Sequence, residues 1–241
     1  MPMFDQENSQ GIAIFSPSEP HLACLLLFDT SASMINAAIE DLNNAIIAFK
    51  ADACADEFTQ KRVDVAIVEF NDVARVVQPF VPIGKMEPVR LQATGCTSMG
   101  AGINLAIDLV KERKRLYAQM GTPYYAPWIV MITDGAPTDD PSMAAQRIIS
   151  EEAKGALKFW SVGLTGCDFK ALVKLSRKRR IIELTTTDYK KLFRWLLECM
   201  TVNLEGYPVN NRMNEIVEFK NLLPEIRAVA IQNLDDDWLD E

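Results

Sequence analysis

The segment from Leu22 to Phe28 constrains the fold more than any other, because it is apolar at every position and stops abruptly at Asp29. A strand with one wet face alternates apolar and polar residues. An unbroken run of this length fits a central parallel strand covered on both sides. Such a strand needs helices above and below it, and the rest of the chain supplies them. Ala37, Ala38, Leu42, Ala45, Ile46 and Phe49 recur at helical spacing from about Asn36 to Lys50. Val63, Val65, Ile67 and Phe70 keep the beat of a strand, as does Ala74 to Val81, and Asn71-Asp72 between them predicts a hairpin. A second helix is predicted from Met99 to about Tyr117, and an apolar strand from Trp128 to Ile132 that ends at Thr133-Asp134-Gly135. Helices from Pro141 to about Gly155, Asp168 to Ser176 and Asp188 to about Met200 alternate with strands at Leu157 to Leu164 and Arg180 to Leu184. The alternation specifies an α/β domain. Its expected architecture is a Rossmann-like, doubly wound, mostly parallel central sheet with one antiparallel edge strand and helices on both faces.

The pattern divides the 241 residues into an N-terminal arm at 1–18, a main domain at 19–201 and a tail at 202–241. In the tail, one short helix is expected through Met213, Ile216, Val217 and Leu223, ahead of Pro224. Its end, Asp235 to Glu241, places carboxylates around Trp238 and Leu239 and reads as a solvated terminus, with a docking peptide as the alternative. The formal net charge of -8 argues against general attraction to nucleic acid or to anionic membrane surfaces. No segment approaches the roughly 20 apolar residues that span a bilayer. The acidic start, with Asp5 and Glu7, is not how a secretory signal begins, so a cytoplasmic location is expected. Cys24, Cys54, Cys96, Cys167 and Cys199 are odd in number and scattered, which suits reduced thiols rather than a disulfide framework. With His21 as the single histidine, a histidine-rich metal site is excluded, and that residue reads as structural or exposed.

Three segments carry oxygen-bearing side chains where an open α/β sheet places its ligand site, outside the carboxyl ends of the strands. They are Asp29-Thr30-Ser31-Ala32-Ser33, Gly95-Cys96-Thr97-Ser98 and Thr133-Asp134-Gly135. Alternation along the first lets Asp29, Ser31 and Ser33 face inward together. Carboxylate and hydroxyl oxygens suit a hard cation, Mg²⁺ first with Mn²⁺ or Ca²⁺ as alternatives, and disfavour soft metals. Each piece also has an ordinary explanation, because Asp29, Ser33, Thr97 or Ser98 can cap a helix and Asp134-Gly135 can form a turn. Their coincidence points to a metal site made of Asp29, Ser31, Ser33, Thr97 and Asp134. Two carboxylates and three hydroxyls would leave the ion electrophilic enough to take an acidic ligand from outside. Asp139 and Asp140, ahead of Pro141, read as a helix start, and the basic clusters Lys111 to Arg115 and Arg177 to Arg180 as solvated faces. Gly95, Gly100 and Gly102 lack the following Lys-Ser or Lys-Thr of a phosphate loop.

These three segments resemble the three-part metal-ion-dependent adhesion site of von Willebrand factor A domains. The resemblance implies that fold, with Ser31, Ser33 and Thr97 as inner-shell ligands and with Asp29 and Asp134 acting directly or through water. It also implies that a partner's Asp or Glu completes the shell. Ala32 stands where the family frequently has glycine, a departure that alters the loop without removing a ligand. More narrowly, Tyr124 to Trp128 and Thr133 to Asp139 are similar to the bacterial YegL-like and TerY-like stand-alone A domains, over about residues 20–200. That similarity implies a link with tellurite-resistance, stress or defence systems and with kinase-like or phosphatase-like partners. The expected function is a non-enzymatic, metal-dependent protein interaction module. A magnesium-dependent phosphohydrolase with Asp29 as nucleophile is the alternative. Against it, the position two residues after Asp29 is Ser31 rather than a second carboxylate, and no lysine adjoins the three segments in sequence.

Overall fold

The computed structural model describes residues 18–178, 180–204 and 226–228. Strand β1 (Leu22–Asp29) is buried along its whole length, as its unbroken apolar run requires. Parallel neighbours flank it, β2 (Val63–Phe70) on one side and β4 (Trp128–Thr133) on the other. Beyond β4 lie β5 (Lys158–Leu164) and β6 (Ile181–Leu184), both parallel. The hairpin partner β3 (Ala74–Pro82) runs antiparallel to β2 and forms one edge. These six strands are the expected mostly parallel sheet with its antiparallel edge. A seventh, β7 (Ile226–Ala228), extends it: drawn from the tail, it pairs antiparallel with β6 and gives the order β3-β2-β1-β4-β5-β6-β7. The short helix expected before Pro224, the acidic end and the N-terminal arm up to residue 17 lie outside the described residues.

Two-residue periodicity sorts β1 between two cores. Leu22, Cys24, Leu26 and Phe28 join the core formed with α1 (Ala37–Ala55) and α6 (Tyr189–Leu204), which includes Phe49, Phe193 and Leu196. Ala23, Leu25 and Leu27 join the opposite core with α3 (Met99–Met120), α4 (Ser142–Ala153) and α5 (Phe169–Leu175). The sheet is therefore wound on both faces. Among the described residues, no helix is long and apolar enough to cross a membrane. Because β2 and β4 lie on opposite sides of β1, strand order reverses there, and a crevice opens at the carboxyl ends of β1 and β4. One close approach narrows that region: a Cβ on Gly102 would lie 2.9 Å from the Phe70 side chain, so a bare backbone lets α3 sit tightly on β2.

α1 runs five residues past its expected end through Ala51-Asp52-Ala53-Cys54-Ala55, a stretch containing three strong helix formers. Asp56 then leaves the helical region (φ -106°, ψ 112°) and caps α2 (Glu57–Arg62), a helix too short for sequence periodicity to reveal. Its carboxylate accepts from Thr59 N at 2.9 Å and from Thr59 Oγ1 at 2.5 Å. The Thr59 side-chain bond holds the Asp56 carboxyl below the ordinary carboxylate range. A lowered folded value means that the stabilisation is complete above the ordinary range and lost as pH falls through the lowered one. Asp56→Ala is expected to cost about 1 kcal/mol in urea denaturation at neutral pH, with the deficit vanishing toward strongly acidic conditions.

Two of the basic positions read as solvated are structural. Arg113 is 3% exposed, and its Nη2 lies 3.0 Å from Asp64 Oδ2. Arg180 donates to Glu152 at 2.7 Å, beside Ser176 and the Phe159 amide, which bond the same carboxylate. His21, fully buried, faces Asp64 through Nδ1 at 3.0 Å. Helical spacing placed Arg113 on a helix surface, and charge clustering placed Arg180 on a solvated face, but neither could show that the cation packs on a buried carboxylate.

Candidate metal centre

Asp29 ends β1, and its carboxylate joins two strand ends. Oδ1 accepts from Ser31 N at 2.9 Å, which turns the chain, and Oδ2 accepts from Thr133 Oγ1 at 2.5 Å at the end of β4. Ser31 stands before a single 3₁₀ turn, Ala32–Met34, without capping it. Its Oγ instead meets Ser33 Oγ at 2.9 Å, and Ser33 Oγ donates to Asp134 Oδ1 at 2.7 Å. The first and third segments thus close into a chain of oxygens across the crevice.

The second segment is fixed from three sides. Ala32 N donates to Gly95 O at 3.0 Å, and Thr94 N to Thr30 O at 2.8 Å. The β2–β3 hairpin tip brackets Thr97: Asp72 Oδ1 accepts from Cys96 N at 2.8 Å, Asn71 O accepts from Ser98 N at 2.8 Å, and Asp72 O accepts from Ser98 Oγ at 3.1 Å. From the third segment, Thr138 Oγ1 accepts from Thr97 N at 3.0 Å while Thr138 N donates to Thr97 O at 2.9 Å. Gly135 marks the convergence, since a Cβ there would lie 3.7 Å from Thr97 Oγ1 and 3.9 Å from Ser33 Oγ. All five predicted residues, Asp29, Ser31, Ser33, Thr97 and Asp134, are therefore brought together at the carboxyl ends of β1 and β4.

The helix-cap explanation fails for this set. Ser98 occupies the N-cap of α3 without a side-chain cap bond. Asp139 does that work instead, accepting from Gly100 N and Ala101 N at 3.0 Å each. Asp139 was expected to start α4, a task that falls to Asp140, which accepts from Ser142 N at 3.0 Å. With α3 capped from a distant loop, the Thr97 hydroxyl has no capping duty. Asp72, Thr138 and Thr133 were missed as positioning residues because their partners are remote in sequence; the one local signal was the hairpin turn itself.

Burial pushes the Asp29 carboxyl above its ordinary range, the negative charge of Asp134 adds to the rise, and the bonds from Thr133 and Ser31 oppose it. Neither aspartate has an ion-pair partner among the described residues. A buried carboxylate, Asp29, and a half-buried one, Asp134, thus share the crevice with no cation among the described residues paired to either. Nor do three His, Cys, Asp or Glu side chains cluster to hold a metal among the described residues, so hydroxyls would have to supply the remaining donors. Oxygen-only donors at mutual distances of 2.7–2.9 Å fit a hard divalent ion.

The second segment gives a prediction about the scaffold alone. Gly95 has φ 74°, and a Cβ there would sit 2.3 Å from Asp72 Oδ2. Gly95→Ala is expected to lower stability by more than the roughly 1–2 kcal/mol of a left-handed backbone. In the Asp72→Ala background the steric part should disappear and the backbone part remain, a difference that a double-mutant cycle by thermal denaturation resolves.

Fold and site together define a doubly wound α/β domain with a hydroxyl- and carboxylate-lined crevice at its strand switch. Residues 25–193 match the von Willebrand factor type A domain, and the chain belongs to that family. Domains of this family commonly mediate protein–protein interactions and take a divalent metal at such a site. Among solved structures, the chain is similar to proximal thread matrix protein 1 from the mussel byssus (TM-score 0.52, 16% identity, covering 73% of this chain and 47% of that one). A second structure of that mussel protein, described as having a zinc occupied MIDAS motif, aligns with TM-score 0.50 at 15% identity, over 73% of this chain and 47% of that one. The PilB minor pilin from Streptococcus sanguinis aligns with TM-score 0.52 at 14% identity, over 77% of this chain and 62% of that one. This chain spans about half the length of the mussel protein. At such identities the likeness is one of fold. No curated protein matches the sequence.

Proposed function

We propose that this chain is a metal-dependent protein interaction module. In this reading Asp29, Ser31, Ser33, Thr97 and Asp134 hold a divalent cation, and the cation accepts an Asp or Glu from a protein partner. The carrying observation is the Ser31–Ser33–Asp134 oxygen chain, at 2.9 and 2.7 Å, with Thr97 across Gly135. When bound, the ion would supply a Lewis-acidic position for an outside carboxylate, while the chain's residues hold it and keep water from the Asp29 side. Mg²⁺ is favoured by the all-oxygen donor set, with Mn²⁺ or Ca²⁺ next, and the zinc in the mussel protein's motif supports divalent occupancy in general.

The phosphohydrolase alternative is disfavoured at the proposed nucleophile. Asp29 is fully buried and held by Ser31 N and Thr133 Oγ1, so a bulky phosphate ester has no in-line approach to it, whereas a small ion or its water can still use the remaining lone pairs. A role in bacterial tellurite resistance, stress or defence, with kinase-like or phosphatase-like partners, rests on the resemblance of Tyr124 to Trp128 and Thr133 to Asp139 alone.

Affinity capture from the native extract in Mg²⁺ tests the module. The bound partner is expected to be lost on adding EDTA and in the Asp29→Ala protein. Equal capture in all three conditions would contradict the reading.

A further inference from the structure

A shallow groove of about 270 Å³ adjoins the crevice, with Ile35, Ile39, Leu91 and Ala93 along its sides and Arg90 and Glu40 at its margin. It begins where the first and second segments meet. Ile35 lies two residues beyond Ser33 and Ala93 two before Gly95, and the segments are joined by the Ala32–Gly95 backbone bond of 3.0 Å. Its inner wall is core, since Ile39 and Leu91 are 7% and 2% exposed, whereas Ile35 is 49% exposed despite its size. Asn36 beside it adopts φ 74° and ψ -127°, a backbone region that L-residues rarely occupy, and its side chain makes no cap bond to α1. The chain thus holds a strained turn next to an exposed isoleucine at the edge of the site.

Size and charge select the occupant. The volume is below the roughly 300–1,000 Å³ of pockets that enclose a small-molecule ligand, but it accommodates one large side chain. The two flanks of the crevice differ in charge. On the hairpin and α4 side stand Asp72, Asp139 and Asp140, which repel an acidic segment. On the groove side the Arg90 side chain is 74% exposed and paired at 3.1 Å with Glu40, itself 57% exposed, so this flank is charge-neutral, and such surface pairs yield readily to a competing acceptor.

From this juxtaposition we infer that the groove is a specificity subsite of the same interaction module: it receives a large apolar side chain adjacent in an extended partner peptide to the carboxylate that meets the cation. Arg90 then bonds a carbonyl or carboxylate of that peptide. The inference rests on the proposed metal-dependent reading and extends it to partner sequence: one acidic residue with an apolar neighbour on one flank and no further acids on the other.

Fluorescein-labelled heptapeptides of glycine with a central Asp, carrying Leu, Phe, Ser, Lys or Glu at each flanking position in turn, are titrated into the full chain in Mg²⁺. A Leu or Phe on one flank is expected to bind about tenfold tighter than Ser at the same place, the return for burying one such side chain. Ile35→Ser, at an exposed position, should shrink that preference to about twofold while the Mg²⁺-induced thermal shift stays unchanged. Equal binding of Leu and Ser peptides, a preference that survives Ile35→Ser, or no peptide binding at all would overturn the subsite. The metal reading is judged separately. It fails if Asp29→Ala or a central Asn leaves binding intact, and it survives if those abolish binding while the flanking preference is absent.

Discussion

Asp64→Ala is expected to cost about 3–5 kcal/mol of folding stability, a large share of the roughly 5–15 kcal/mol that holds a domain together. Asp64, at the start of β2, is fully buried, and its Oδ2 meets His21 Nδ1 and Arg113 Nη2 at 3.0 Å each and the Tyr117 hydroxyl. One carboxylate therefore ties the amino-terminal ends of β1 and β2 to the C-terminal third of α3. Its removal leaves a guanidinium that is 3% exposed without this counter-charge and largely out of reach of bulk solvent. Asp64→Asn, which keeps the shape and one acceptor, should fall between. Replacing both ends, as Asp64→Leu with Arg113→Met, should recover much of the loss, because no buried charge is then left over. Urea denaturation measures all three. A loss under about 1 kcal/mol for Asp64→Ala would show that the buried charge is compensated elsewhere.

The second large effect is linkage at the metal centre. A ligand that binds only the folded chain stabilises it by about 2.7 kcal/mol when present at a hundred times its Kd, or about 5–10 °C in Tm for a domain of this size. Saturating Mg²⁺ should produce such a rise in the native chain and none in Asp29→Asn. In EDTA the order should be less severe or reversed. Asp29 and Asp134 repel each other, and burial already strains the Asp29 charge, so a neutral amide relieves both, with Oδ1 still accepting from Ser31 N while Nδ2 donates to a reoriented Thr133 hydroxyl. A variant that weakens the domain equally with and without Mg²⁺ would mark Asp29 as purely structural.

Much of this was legible in the sequence because its determinants are local. An apolar run of seven residues that stops at a carboxylate fits a doubly covered strand, being too short for a typical buried helix, and Leu22 to Phe28 lies at the centre of the sheet. The five candidate ligands were legible because each follows a strand end or precedes a helix start. Groups with partners far along the chain stayed hidden. Asp139 caps α3 across a separation of 39 residues, and Asp72 holds Cys96 across 24. Arg113 reads as one more surface charge until α3 is laid against β2. The helix α2 escaped because six residues carry no period, and β7 because three residues cannot announce a strand.

The claim that five oxygens from three loops hold one divalent ion can be tested without a partner. Crystals of the full chain grown or soaked with Mn²⁺ and measured for anomalous scattering should show a single strong peak in the crevice, within direct or water-bridged reach of Ser31, Ser33, Thr97, Asp29 and Asp134. The peak should be absent from Asp29→Ala crystals treated alike. A native crevice without a peak, or a dominant site elsewhere on the chain, would contradict the account.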